Sequence, residues 1–420
     1  MSDTLPVSSA DIKKILIVGG GFGGVRAALD LSKKKLPNVQ ITLVSDKHHF
    51  EYTPALYKLA TGRSPLETCI PLAEIFHDTS VEIIVDTIAG GSLPEKTIIG
   101  GSGARYKYDY LILALGSESS YFGISGVAEN SYTLKTVQSA LKLKRHLHEL
   151  FDSHSGLSKG ELMSQFQFVV VGGGPAGVEL AGEIGIYAHE LAKKHEVPAK
   201  LVTIDILQAA PRLLPTMPES VSKHVMRRLD KLGVNIIVGR SVVSEDEKGV
   251  YLKDIQLNAK TIIWTAGVKP SHVYTQITGL TLDKGGKIIV DEHMHVTGMK
   301  DEFVLGDSAS TPFAGTAQTA IYDGHYVCET ISAHILGETL PQYKPRRTPY
   351  VIPVGPNWAV FTYKNITLSG RIFWWLRELI DFRFFLSILP FEKAYIVWRE
   401  GGILCESCPT CTLAEKEAKK

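Results

Sequence analysis

Two glycine clusters in this chain share one spacing, and that spacing is suited to holding a pyrophosphate. Gly19-Gly20-Gly21-Phe22-Gly23-Gly24 places G-x-G-x-x-G at Gly19, Gly21 and Gly24. Gly172-Gly173-Gly174-Pro175-Ala176-Gly177 repeats it at Gly172, Gly174 and Gly177. The first glycine permits a tight turn out of a strand. The second lets the backbone approach a phosphate, and the third lets the next helix pack close to the sheet. The helix N-terminus then turns its partial positive charge toward the phosphates. One such motif says little. Two in one chain, each after an apolar run (Ile15–Val18 and Phe168–Val171), imply two bound dinucleotides.

A dinucleotide fold of this kind carries an acid at the end of its second strand, where it bonds the ribose hydroxyls. After the first cluster that strand is Ile41–Val44. Ser45 takes the aligned position and Asp46 stands one place beyond, so both are candidates. After the second cluster the strand is Leu201–Leu207, and Gln208 stands where the acid is usual. Glutamine can bond a ribose but carries no charge to repel a 2′-phosphate, so NADH and NADPH both stay open. Asp205, in mid-strand, is a poorer candidate.

The elements needed to position these loops follow from the apolar pattern. Ile15–Val18, Ile41–Val44, Val81–Val85 and Tyr110–Leu115 are near-continuous apolar runs separated by helical stretches, the pattern of parallel strands buried on both faces. A helix from about residue 134 to 163, with a polar linker near 152–159, leads to a second set: Phe166–Val171, Leu201–Leu207, Val234–Val238 and Thr261–Thr265. Short strands at Ile288–Val290 and Glu302–Leu305 and a helix at Ala317–Leu336 follow. The 420 residues exceed one ordinary core, so several domains are expected. With 44% hydrophobic and 21% charged residues the chain reads as globular, and a net charge of +1 with no basic block excludes a nucleic-acid-tracking surface.

From Pro341 the chain becomes aromatic and basic. Gly370–Pro390 reads as an amphipathic helix, with Arg371, Arg377, Glu378 and Asp381 on one arc and Phe373, Trp375, Leu376 and Leu379 among the apolar rest. Its charges forbid a membrane span, and its wide apolar face suits the lipid interface. A strand is expected at Ala394–Trp398, after Pro390. His48-His49 reads as a solvated pair. Cys405, Cys408 and Cys411 form two overlapping C-x-x-C spacings, but no fourth cysteine or nearby histidine completes a ligand set, so no metal is expected. The polar start of the chain and its scattered cysteines predict a cytoplasmic protein.

Taken together, the paired glycine motifs, Tyr110–Gly116, Ile262–Gly267, Phe303–Asp307, Ala317–Gly324 and Thr53–Tyr57 resemble the two-dinucleotide flavoproteins, and within them the type II NADH:quinone oxidoreductases. The resemblance spans about residues 12 to 400. It implies an α/β fold with two Rossmann-like domains, the FAD domain being split by an inserted NAD(P) domain. The expected boundaries are 1–150 and 287–340 for FAD, 151–286 for NAD(P), and 341–420 for a membrane-associating region. It implies FAD and NAD(P)H as cofactors and a membrane quinone as acceptor, without proton pumping. It places Gly19, Gly21, Phe22, Gly23, Gly24, Ser45, Asp46, Pro54, Ala114, Gly116, Gly306, Asp307, Ala317 and Gln318 around FAD. Gly172, Gly174, Pro175, Ala176, Gly177, Gln208, Ala266 and Gly267 fall around the nicotinamide nucleotide. Gln318 is expected to meet the quinone oxygen and Glu183 to serve a proton path. The family's second glutamine is replaced here by Tyr322 and Asp323, and Tyr322 keeps a donor.

The resemblance further implies a peripheral protein on the cytoplasmic side of the cell membrane; a homodimer is left open. Three other readings share the motifs. A sulfide:quinone reductase would need paired cysteines by the flavin, and none is evident. A soluble-acceptor reductase would not need the aromatic helix. A non-enzymatic NAD(P)H sensor would be reoxidised slowly by quinone.

Overall fold

The computed structural model describes residues 12–402. The Cys405, Cys408 and Cys411 tail, the charged residues 414–420 and the polar start of the chain lie outside the described residues. The strands are β1 (Lys13–Val18), β2 (Val39–Ser45), β3 (Val81–Val85), β4 (Tyr110–Leu113), β5 (Tyr132–Thr133), β6 (Gln167–Val171), β7 (Thr203–Gln208) and β8 (Val234–Val238). They continue as β9 (Thr261–Trp264), β10 (Glu302–Val304), β11 (Tyr350–Pro353), β12 (Ala359–Tyr363) and β13 (Ile366–Gly370). The helices are α1 (Phe22–Lys34), α2 (Leu56–Ala60), α3 (Val137–Asp152), α4 (Pro175–Lys194), α5 (Glu219–Lys231), α6 (Ala317–Leu336), α7 (Arg371–Ile388) and α8 (Phe391–Gly401).

The chain forms two compact units. The first gathers the chain up to Phe50, Ile70–Glu118 and Val268–Thr348; the second gathers Glu51–Cys69, Ser119–Gly267 and the chain from Pro349 on.

The first unit holds a five-stranded parallel sheet in the order β10-β4-β1-β2-β3. Its central strand has Ile15, Leu16, Ile17 and Val18 all buried, as a strand covered by helices on both faces requires. Chain segments far apart meet in it, since β10 pairs with β4 through Glu302↔Leu111 and Val304↔Leu113. Helices α1 and α6 pack so closely that a Cβ added to Gly324 would lie 2.5 Å from the Gly23 carbonyl oxygen.

The second unit repeats the plan in the order β5-β9-β6-β7-β8, again all parallel. Its large apolar core joins α2, α3, α4 and α5 to this sheet. Thr136 caps α3 through the Ser139 N–H at 3.1 Å, a bond whose loss costs about 1 kcal/mol. A three-stranded antiparallel sheet, β11-β12-β13, follows, and α7 packs on it.

The parallel α/β architecture expected from the apolar runs is therefore present in both units. Two local expectations are corrected. Ala394–Trp398 is not a strand but part of α8. The period there is helical, because Phe391, Tyr395 and Trp398 are spaced to gather around the Phe382 ring, with centroids 6.3, 6.5 and 5.0 Å away. Glu392 in its first turn and Arg399 in its last also suit a helix dipole. Ile288–Val290 forms only isolated bridges, from Ile288 to Leu282 and Ala309 and from Val290 to Val296.

Candidate functional site: two dinucleotide cradles and a buried charge cluster

In the first unit β1 runs into Gly19, whose φ of +115° brings the turn against the end of β4; a Cβ there would sit 2.2 Å from the Ala114 carbonyl oxygen. At Gly24 a Cβ would sit 2.0 Å from the Gly19 oxygen, so only glycine lets α1 start this close to the strand. At Gly21 the result is the opposite: a Cβ would meet no atom within 4 Å. The middle glycine therefore borders open space at the uncapped N-terminus of α1, which is the cradle a pyrophosphate fills. Phe22 stacks edge-on against Phe50 at 4.9 Å, and a Cβ on Gly23 would collide with Leu305. Ser45 is buried behind the loop, its Oγ 2.4 Å from where a Gly20 Cβ would lie, whereas the side chain of Asp46 is exposed beside Lys47.

The late motif closes on the same unit. Ser117 Oγ donates to Asp307 Oδ2 at 2.6 Å, and Ser308 Oγ donates to the Gly116 carbonyl at 2.8 Å. The Leu115 N–H donates to the Tyr274 hydroxyl at 3.0 Å. Gly306 N–H donates to Asp323 Oδ2 at 3.1 Å, and Tyr343 Oη donates to Asp323 Oδ1 at 2.7 Å. Asp323 is fully buried, and burial pushes its carboxyl up to about 6. Ser117 and Asp323 thus bond the Gly306-Asp307 turn directly, with Tyr343 behind Asp323, and Gly306 and Asp307 are placed where they could hold FAD.

In the second unit the geometry recurs. Gly172 has φ +116°, a Cβ on Gly177 would lie 1.9 Å from the Gly172 oxygen, and a Cβ on Gly174 would meet nothing within 4 Å. Pro175 occupies the first turn of α4, where its missing N–H costs no hydrogen bond. Ala176 follows it. Thr265 Oγ1 donates to the Val171 and Gly172 carbonyls, which pins the Ala266-Gly267 turn beside the loop. Gln208 ends β7 and its Oε1 accepts from the Gly173 N–H at 3.0 Å. Asp205 is buried and held by Gln167 at 2.7 Å and Asn235 at 2.9 Å, so it is committed inside the sheet.

The second unit also contains a cluster of buried charges that sequence reasoning missed. Lys58 of α2 pairs with Glu67 at 3.2 Å and with Glu378 of α7 at 3.3 Å. Arg377 pairs with Asp381 at 2.9 Å, and the Tyr52 hydroxyl donates to Asp381 at 2.5 Å. Burial disfavours the Lys58 ammonium, but Glu67 and its neighbours outweigh it and keep its pKa well above the ordinary value. Glu67, buried with too few cations, is pushed up to about 6. Glu179 of α4 is only 9% exposed, and burial raises it to about 7 against the opposing pull of Arg377. A signal for Glu179 existed: α4 carries Gly182 and Gly185, a mark of a helix packed on most sides. A Cβ on Gly182 would lie 2.6 Å from the Gly355 nitrogen.

Gln318 sits half-buried in the first turn of α6, behind the Thr316 cap and next to Ala317. Tyr322 spends its hydroxyl on the Lys344 carbonyl at 3.0 Å, and Arg346 lies 4.7 Å over its ring. Glu183 lies one turn beyond Glu179, half-buried, with burial raising its pKa. Pro54 begins the short turn before α2, in the second unit. Gln318 and Tyr322 belong to the first unit and Glu183 to the second.

Two parallel sheets, each ending in a glycine cradle open over its middle residue, define a two-dinucleotide oxidoreductase. The sequence profile of the pyridine nucleotide-disulphide oxidoreductases matches residues 13–324. A type II NADH:quinone oxidoreductase of Mycobacterium tuberculosis is 31% identical, covering 79% of this chain and 75% of its own. One from Staphylococcus haemolyticus is 28% identical, covering 91% and 98%. The structure of NDH2 from Plasmodium falciparum in complex with NADH superposes with a TM-score of 0.84 at 18% identity, covering 93% of this chain and 97% of that one. The chain belongs to the pyridine nucleotide-disulphide oxidoreductase family, in its type II NADH:quinone oxidoreductase branch.

Proposed function

We infer that this chain is an FAD-dependent oxidoreductase that takes hydride from a reduced nicotinamide nucleotide and delivers electrons to a quinone. The observation that carries the reading is the repeated cradle: Gly21 and Gly174 each border open space at the start of a helix, on separate sheets. FAD, when bound, supplies the ring that accepts hydride and releases electrons. The chain holds it through the Gly19–Gly24 turn and the Asp307 carboxylate, and holds the nicotinamide nucleotide through Gly172–Gly177 and Gln208. Gln318 is the donor offered to the acceptor's oxygen.

Quinone reduction consumes protons, and α4 offers groups that can hold them. Glu183 is one. Glu179 is the better suited, because a carboxyl poised near 7 is half protonated at neutral pH and can both give and take a proton.

The acceptor is collected from a lipid surface. Helix α7 buries Asp381 and most of Arg377 and turns Ile372, Trp375 and Leu379 outward, at 79%, 49% and 56% exposure. Helix α8 continues the face with Phe391, Tyr395 and Ile396. Among the described residues no helix is long and apolar enough to cross a membrane. A face of this width with tryptophan suits a helix lying in the interface, on the cytoplasmic side of the cell membrane. Pairing of this face with a second copy is the competing use. Steady-state NADH oxidation that requires quinone, and protein that floats with lipid vesicles, test the two parts. Turnover supported only by soluble carriers, or a vesicle-indifferent dimer, would overturn them.

A further inference from the structure

A turn beside the second cradle holds a phenylalanine that neither its backbone conformation nor burial accounts for. Tyr121-Phe122-Gly123-Ile124 closes on itself, the Ile124 N–H donating to the Tyr121 carbonyl at 2.9 Å. Both central residues are left-handed, Phe122 at φ +51° and Gly123 at +70°. A turn of that hand favours asparagine, aspartate or glycine at its first central position, and a bulky side chain there is strained. The turn is nonetheless fixed. Tyr121 and Ile124 pack on the apolar core that contains Trp264. The Trp264 Nε1–H donates to the Ser120 carbonyl at 2.9 Å, and the Ser120 N–H donates to the Gly267 carbonyl at 3.2 Å. The tip stands out from this support, with Phe122 67% exposed.

The edge of the Phe122 ring lies over Gly267. A Cβ built on Gly267 would sit 2.3 Å from the ring's Cζ and 2.6 Å from its Cε2, so glycine is required beneath it. The neighbouring Ala266 nitrogen is 2.6 Å from where a Cβ on Gly172, the first glycine of the cradle, would lie. Ala266 and Gly267 thus link the exposed ring to the turn that takes the pyrophosphate. The sheet order β9-β6-β7 says which half of a dinucleotide the ring meets. A dinucleotide lies across the carboxyl ends of the strands, with its adenosine ribose at the end of the second strand, here β7. Its nicotinamide half then extends to the other side of β6, over the end of β9, where Ala266 and Gly267 stand. A flat apolar ring exposed at that place matches a flat heteroaromatic ring, through buried area and through the offset or edge contacts that aromatic pairs prefer.

On the reading of the second cradle as the nicotinamide site, we propose that Phe122 is a substrate-binding residue whose ring packs against the nicotinamide half of the dinucleotide. The test uses the FAD-loaded enzyme and two variants. Phe122→Gly removes the ring and suits the left-handed turn, and Phe122→Trp keeps an aromatic surface. Equilibrium binding of NAD+ and of 5′-AMP, which carries the adenosine half alone, is measured beside thermal melting and the KM and kcat for NADH. The glycine variant is expected to melt no more than about 3 °C below the natural chain, because it relieves strain and gives up little buried area. It should bind NAD+ roughly tenfold more weakly and raise the KM for NADH by a similar factor, with 5′-AMP binding unchanged. The tryptophan variant should recover NAD+ affinity to within about threefold of the natural chain. Unchanged NAD+ affinity in the glycine variant would overturn the proposal. So would an equal loss of NAD+ and 5′-AMP with a lowered melting temperature, which would make Phe122 a structural residue of the turn. Failure of NAD+ and 5′-AMP alike to bind the natural chain would overturn the cradle assignment itself, and the proposal with it.

Discussion

Arg377 and Asp381, one turn apart on α7, close an ion pair at 2.9 Å in which Asp381 is 1% exposed and Arg377 13%. The pair faces inward, toward Tyr52, so Arg377, Glu378 and Asp381 lie on the covered side of this helix while Ile372, Trp375 and Leu379 face outward. A globular surface helix is ordinarily the reverse. Breaking such a pair leaves an uncompensated buried charge. Asp381→Ala should therefore cost about 3–5 kcal/mol in chemical denaturation, while Arg377→Met with Asp381→Leu should recover most of it. Equal losses in the single and double variants would contradict the buried-pair account.

The inverted helix also decides how membrane attachment should be probed. Deletion after about Leu368 takes Glu378 from Lys58 and Arg377 from Glu179, so the second unit would suffer with the anchor. Trp375→Ser with Leu379→Ser touches only the outer face. Each lost apolar side chain is worth about 2 kcal/mol of partitioning, so vesicle binding should fall by at least roughly tenfold with FAD content and melting temperature unchanged. Undiminished vesicle binding would remove α7 from the interface.

Gly174→Val should abolish nicotinamide binding, by roughly a hundredfold or more, and spare both fold and FAD, because the new side chain enters space that no protein atom occupies. Gly177→Val, whose Cβ would lie 1.9 Å from the Gly172 oxygen, should instead disrupt α4 itself. NADH titration and thermal melts of the two variants separate binding from folding. Unchanged NADH affinity in the first variant would reassign the loop.

Glu179 makes a prediction in pH. Its carboxyl is raised by burial to about 7, above the ordinary carboxylate value, so the folded chain binds more protons than the unfolded one. Its contribution to stability is then complete below the unfolded pKa and is lost as pH rises toward and through 7. Relative to Glu179→Gln, the natural chain should lose on the order of 2 kcal/mol between pH 5 and pH 8. Parallel stability profiles across that range would show that Glu179 does not hold its proton at neutral pH.

The parts legible in the sequence are those whose signal is local. Gly19 to Gly24 and Gly172 to Gly177 each state a strand, a turn and a helix within a dozen residues, and the parallel sheets follow from the apolar runs around them. The C-terminal helix was legible as amphipathic but not its orientation. Arg377, Glu378 and Asp381 are charged, and charge is ordinarily exposed; their partners Tyr52 and Lys58 lie more than three hundred residues away, with no spacing to announce them. Asp323 was visible only as a departure from a family pattern. Its bonds to Gly306 and to Tyr343, a residue beyond the end of α6, could be found only in three dimensions. Ala394–Trp398 reads as a strand in sequence because a short aromatic run fits both periods until its packing partner, Phe382, is known.

The central claim is that one chain carries both half-reactions, and the flavin absorbance reports each directly. The FAD-loaded protein would be mixed anaerobically with NADH, then with a short-chain quinone. Rapid bleaching followed by rapid, complete recovery is the predicted result. Bleaching that quinone does not reverse would contradict the assignment of quinone as the acceptor.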